Sequence, residues 1–332
     1  MTATTAHTLR MTRKLLSFRG RTRMHRPFSD AAQPHCPTCH CSHDERTTRP
    51  LPSPLPTPSY SVHRRVLPSS LVALSSTEGR QRLVDHLTCP ESNTESYYRL
   101  TQHAMNQSDP AYCGVTTLVV VLNALSVDPN VRWKGGWRYF GDEGFLLSRC
   151  CMNEEHIQRV GITMDEFYQL ATCQGVNVTM TRWTEDSVTT GLDDFRQVVQ
   201  TTFSSSFTSS NTQLLVVSFS RASLGQTGDG HFSPLAAYHA PTDSVLVWDV
   251  ARFKYPPYWT SLSQLYDAMQ PQDETTHQSR GWYVLSSLSK EELQEEHRRP
   301  AKLVPLANEP DICPLGKVKV QFCKASHYKV SE

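Results

Sequence analysis

QSDPAYCGVTTLVVVLNAL, residues 107–125, decides how this chain is read. Asp109 suits a helix N-cap and Pro110 suits the first helical turn, where its missing N–H costs nothing. The spacing predicts a helix running to Leu125. That helix is apolar nearly all round (Val115, Leu118, Val119, Val120, Val121, Leu122), so it belongs at the centre of a fold rather than on its surface. Cys113 falls in the first turn, beside unsatisfied backbone N–H groups and the positive end of the helix dipole. Both favour the thiolate, the nucleophilic form. A cysteine taken alone is more often a packed, inert thiol. Its reading as a nucleophile depends on whether the chain supplies a base, an orienting acid and an oxyanion donor.

Working outward, GRQRLVDHL (79–87), Thr163 to Cys173 and Leu192 to Thr202 read as helices, and WKGGWRYFGDEGF (133–145) reads as a loop. VNVTMTRW (176–183), LLVVSFS (214–220) and GWYVLSS (281–287) read as strands, separated by a Ser-rich loop at 203–213 and a short helix in SLSQLYDAM. HFSPLAAYH and VLVWDV flank Pro241–Ser244 as a hairpin. Ser289 and Glu292 have capping-box spacing for a last helix ending before Pro300. Helices followed by an antiparallel sheet define an α+β fold.

The hairpin carries the chemistry. His231 lies in GDGHFSP, where the flanking glycines, Gly230 included, let the backbone come close to a ligand. Asp249 closes VLVWDV. A Cys at a helix mouth with a His and an acid on a later hairpin is the order of a nucleophile, a base and its orienting acid. Gln107 is placed to give an amide N–H to an oxyanion. A tight turn at 241–244, however, pairs His231 with residues beyond Asp249, several places out of register, and Pro234 marks an irregular strand. His103, His156, His239 and His277 compete as bases.

The 332 residues carry a net charge of +1, which gives no electrostatic case for nucleic acid or an acidic membrane surface. No apolar run reaches transmembrane length. Ten cysteines, two of them adjacent (Cys150, Cys151), suit free thiols in a reducing, cytoplasmic compartment. Residues 1–29 hold seven Lys or Arg and no acid, a composition shared by organellar transit peptides and by plain basic tails. A mitochondrial or other organellar address is therefore the alternative. Cys36, Cys39 and Cys41, interleaved with histidines, are weak ligands for a soft metal, because no second ligand pair follows at finger-like spacing. Residues 49–61 are Pro- and Ser-rich linker. The expected organisation is an extension at 1–59, a catalytic domain at 60–287 and a short tail at 288–332.

QSDPAYCG with VLNAL, DPNVRWKGGWRYF, Cys150-Cys151, GIT (161–163), LDDFR (192–196), QTGDGHFSP and DVARFKYPPYW together resemble the phytochelatin synthases, from about Val62 to about Ser287. The resemblance implies a papain-like fold, with a helical lobe holding the nucleophile helix against a sheet lobe. It implies transfer of γ-Glu-Cys from glutathione to glutathione or a growing phytochelatin, with release of glycine. Cys113, His231 and Asp249 take the catalytic roles and Gln107 the oxyanion role. Asp273 and Arg280 keep the family's spacing for the γ-glutamyl group, and Arg252, Lys254 and Tyr255 lie near the site. No organic cofactor is implied, and Cd(II) or Zn(II) enters as a substrate thiolate complex or activator. A homodimer is left open. After residue 287 only Cys313 and Cys323 remain, where plant members carry a Cys-rich region. The competing readings are a peptidase that only removes glycine, and a non-enzymatic Cys/His metal binder.

Overall fold

The computed structural model describes residues 64–150, 152–184, 191–205 and 212–288. The cysteines at 36, 39 and 41, the basic N-terminal stretch and the capping-box helix at 289 lie outside them. Six helices precede most of the sheet: α1 (Thr77–Thr88), α2 (Glu95–Gln102), α3 (Cys113–Ala124), α4 (Glu143–Arg149), α5 (Glu154–Val160) and α6 (Met164–Cys173). The strands are β1 (Val72–Ala73), β2 (Val176–Arg182), β3 (Gln213–Ser220), β4 (Gly230–His239), β5 (Ser244–Val247), β6 (Tyr258–Ser261) and β7 (Gly281–Ser287). α7 (Gly191–Thr202) precedes β3, and α8 (Leu262–Asp267) follows β6. All pairs are antiparallel, in the order β1-β6-β5-β4-β3-β7-β2. This is the α+β arrangement. Among the described residues no helix is long and apolar enough to cross a membrane.

The sheet is covered on both faces, which explains the unbroken apolar run of β3. Leu214, Val216, Leu246, Tyr283 and Leu285 pack with α3 and α6. Their alternating neighbours Leu215, Val217, Val245, Val247 and Trp282 pack with Phe195 and Val199 of α7 and with Leu262 and Leu265 of α8. Every residue of α3 from Gly114 to Ala124 is buried.

The start of α3 differs from the expectation. Asp109 does not cap the helix. Its Oδ1 accepts from Ala111 N at 2.8 Å and its carbonyl accepts from Tyr112 N at 3.0 Å, so Asp109-Pro110 forms a tight turn just before the helix. Tyr112 is the N-cap and no side chain caps the helix. Cys113 is therefore the first helical residue, with first-turn N–H groups beside it that lack a capping partner. α2, α4 and α5 were not expected. α4 begins inside the string read as loop, where Asp142 caps it by accepting from Phe145 N at 2.7 Å. Buried Glu143 then accepts from Ser108 N and Thr116 Oγ1, tying the turn before Cys113 to α4.

The hairpin closes at His239 and Ser244 rather than at 241–244, and its register then shifts by one more residue. His239 pairs with Ser244, Tyr238 with Val245 and Ala237 with Leu246, but the next pair is Leu235 with Val247. Ala236 is the extra residue of a β-bulge, and both Ala236 and Ala237 pack toward α3. Trp248 N donates to Pro234 O at 2.9 Å, which carries the shifted register onward and sets Asp249 opposite Ser233. His231, two residues earlier, thus shares a face with Asp249. Without the bulge the side-chain period of two would put them on opposite faces.

The expectation of free thiols holds for Cys89 and Cys113, but Cys173 is disulfide-bonded. The ends of α4 and α6 bring sulfurs together, with Cys150 Sγ 2.8 Å from Cys173 Sγ. Cys150 is 2 % exposed and takes an N–H from Gln174, so it is a packing residue; Cys151 lies outside the described residues.

Candidate active site

Cys113, His231 and Asp249 come together where α3 begins, β4 begins and β5 has just ended. Asp249 is fully buried and His231 is 3 % exposed. Asp249 Oδ1 lies 3.0 Å from His231 Nε2 and also accepts from Ala251 N at 2.8 Å. Ser233 Oγ lies 3.0 Å from the same ring nitrogen. With Nε2 surrounded, Nδ1 is the ring nitrogen left for the thiol of Cys113, whose acidity His231 raises. None of the competing histidines takes this place. His103 meets the Tyr139 hydroxyl and His239 meets Asp85 and Thr242.

Burial is the largest influence on the Cys113 thiol and opposes ionisation. The hydrogen bond and charge of His231, the backbone of Phe232 and the charge of Arg221 together outweigh it and hold the thiol below its ordinary range. Burial likewise opposes the charge on Asp249. Here His231, Arg221 and the Ala251 N–H prevail and hold the carboxyl well below the usual carboxylate range.

Arg221 is the functional residue that the sequence reading missed. It is 2 % exposed, and its Nη2 donates to Asp249 Oδ1 at 2.9 Å and Oδ2 at 2.8 Å. The signal was available: an arginine directly ends the apolar run 214–220, and a cation there must be paired to be tolerated.

A cavity of about 230 Å³ opens on Cys113. Its lining includes Arg182, Asp229, Gly230, Asp273 and Arg280. Arg280 is 2 % exposed, donates from Nη1 to the Pro271 and Gln272 carbonyls, and forms an ion pair with Asp229 at 2.7 Å. Its Nε is buried without a partner. A Cβ at Gly230 would stand 3.4 Å from Arg280 Nη2, so glycine permits the close approach. Asp273 lines the cavity and shapes its own turn, its Oδ1 accepting from Thr275 N and Thr276 N.

The other substrate-binding expectations fare differently. Arg252 and Tyr255 do not line this cavity. The Arg252 guanidinium stacks 4.8 Å over the Trp248 ring, and Tyr255 is buried with its ring beneath Arg221 and its hydroxyl accepting from Thr227 N. Gln107 is buried and its Nε2 donates to the carbonyls of Asp109 and Pro110, both at 2.9 Å. In this arrangement its amide donors shape the turn before Cys113. Among the described residues no group of three or more His, Cys, Asp or Glu could hold a metal ion.

The geometry, with a cysteine on a helix mouth, a histidine, and an aspartate against its ring, is one that can support nucleophilic thiol chemistry. The sequence profile of the phytochelatin synthase family matches residues 62–282, and the chain belongs to that family. It is 42 % identical over 233 residues to glutathione gamma-glutamylcysteinyltransferase 3 of Lotus japonicus, covering 70 % of this chain and 46 % of that protein. It is 37 % identical over 228 residues to the glutathione gamma-glutamylcysteinyltransferase of Schizosaccharomyces pombe (69 % and 52 %). It is 39 % identical over 248 residues to glutathione gamma-glutamylcysteinyltransferase 1 of Arabidopsis thaliana (74 % and 47 %). The chain thus spans about half the length of these curated relatives.

Proposed function

We propose that this protein transfers γ-Glu-Cys from glutathione to the amine of a second glutathione or of a growing phytochelatin, on a papain-like fold. The observation that carries this is the Cys113–His231–Asp249 array opening on a cavity that presents an Arg280–Asp229 ion pair beside Asp273. A γ-glutamyl group bears a carboxylate and an ammonium on one carbon, and that pair offers a partner to each. The Cys113 thiolate attacks the Cys–Gly carbonyl carbon. The resulting oxyanion takes the free N–H of Cys113, with Gln107 joining if its amide releases one loop carbonyl. The C–N bond breaks, glycine's nitrogen takes the His231 proton, and γ-Glu-Cys remains as a thioester on Cys113. The acceptor amine gives its proton to His231 as it attacks, and the C–S bond breaks to restore the thiolate. Cd(II) or Zn(II) enters as a thiolate complex of the acceptor, hence as substrate.

The test supplies glutathione with and without Cd(II) and follows thiol products by mass. Oligomers of γ-Glu-Cys are expected. Release of γ-Glu-Cys and glycine alone would show a peptidase instead, and activity surviving Cys113→Ala would refute the nucleophile.

A further inference from the structure

Arg221 carries chemistry that the reading above leaves unused. Besides its two bonds to Asp249, its Nη2 lies 2.8 Å from His231 Nε2, while Nη1 donates to Gln226 Oε1. A guanidinium has only donors and keeps its charge at any working pH. His231 Nε2 therefore faces an acceptor-only carboxylate and a donor-only cation at once. When the imidazole charges, its Nε2–H turns to Asp249, yet that carboxylate is already held on both oxygens by Arg221.

We propose that Arg221 is a positioning residue that offsets the charge of Asp249, so that the His231 imidazolium gives its proton readily to the departing amine. The inference rests on the acyl-transfer reading. As the scissile C–N bond breaks, its electron pair goes to nitrogen, the Nδ1 proton of His231 follows, and a neutral imidazole and a thioester remain. An imidazolium facing an unopposed carboxylate would hold that proton longer, and amine departure would slow. A thiolate leaves without a proton. A donor with a thiolate leaving group is therefore indifferent to Arg221 at this step.

The experiment compares wild-type protein and Arg221→Gln in single-turnover acylation by two donors, glutathione and the phenyl thioester of γ-Glu-Cys. The glutathione rate is expected to fall at least about tenfold further than the thioester rate, within the range that general acid catalysis supplies. Gln226→Leu removes the acceptor that steadies Nη1 and serves as a milder second variant, expected to move the ratio the same way by a smaller factor. Equal loss on both donors in the two variants, or loss on neither, would overturn the assignment while leaving the acyl-transfer reading intact. Wild-type protein inert toward both donors would overturn both.

Discussion

At the residue scale the site is a chain of charges, each made tolerable by the next. Cys113→Ser keeps the shape but replaces a depressed thiol with a hydroxyl of far weaker acidity, and is expected to end product formation. Iodoacetamide labelling with peptide mapping should find Cys113 modified ahead of Cys89, the other partly exposed free thiol among the described residues. Asp249→Asn removes the carboxylate that both His231 and Arg221 face, and turnover is expected to fall by on the order of 10³–10⁴. That Cys113, His231 and Asp249 belong together was legible in the sequence, because a helix-mouth cysteine and a Gly-flanked histidine leave local marks. Arg221 and Asp229 were not singled out. Their meaning comes from partners 28 and 51 positions away. Gln107 was legible as a polar residue near the nucleophile, but not as one whose amide the Asp109 and Pro110 carbonyls engage.

At the element scale the bulge at Ala236 decides whether the hairpin can be catalytic. Deleting Ala236 would turn His231 to the face opposite Asp249, and activity is expected to fall to that of Cys113→Ala. Ala236→Gly preserves the residue count and should keep activity, with near-ultraviolet circular dichroism confirming folded protein in each case. The sequence announced irregularity there through Pro234, yet a bulge is settled by how long paired strands fit, which no local string records. Element ends were most legible where capping is local. Thr163 and Glu166 form the capping box that opens α6, and Thr163→Ala should lower stability by about 1 kcal/mol in urea unfolding. The start of α3 was misplaced because Asp109 satisfies a turn as readily as a cap. α4 was missed because its cap, Asp142, sits in a glycine- and aromatic-rich string.

At the scale of the whole molecule, acid should loosen the fold in two stages. Burial lowers His86 to about 4, opposed by the Tyr238 backbone and aided by His239. An unfolded histidine charges near 6.5, so the stability held by neutral His86 is complete above that pH and declines as pH falls toward 4, by up to about 3 kcal/mol. Asp249 follows the same sign lower down. Its stabilisation is complete above about 4, the unfolded carboxyl range, and is lost as pH falls further. Urea midpoints taken at pH 7, 5.5 and 4.5 should therefore drop, and His86→Phe should flatten the upper part of that decline. The topology also bears on how a ribosome could deliver this fold. The edge strands β1 and β2 pair with β6 and β7, residues 258–261 and 281–287. Among the described residues, a nascent chain released through residue 212 holds seven helices and two strands that have no neighbours. Until translation passes β5, the apolar helix carrying Cys113 has no sheet to cover it, and chaperones would have to shield it.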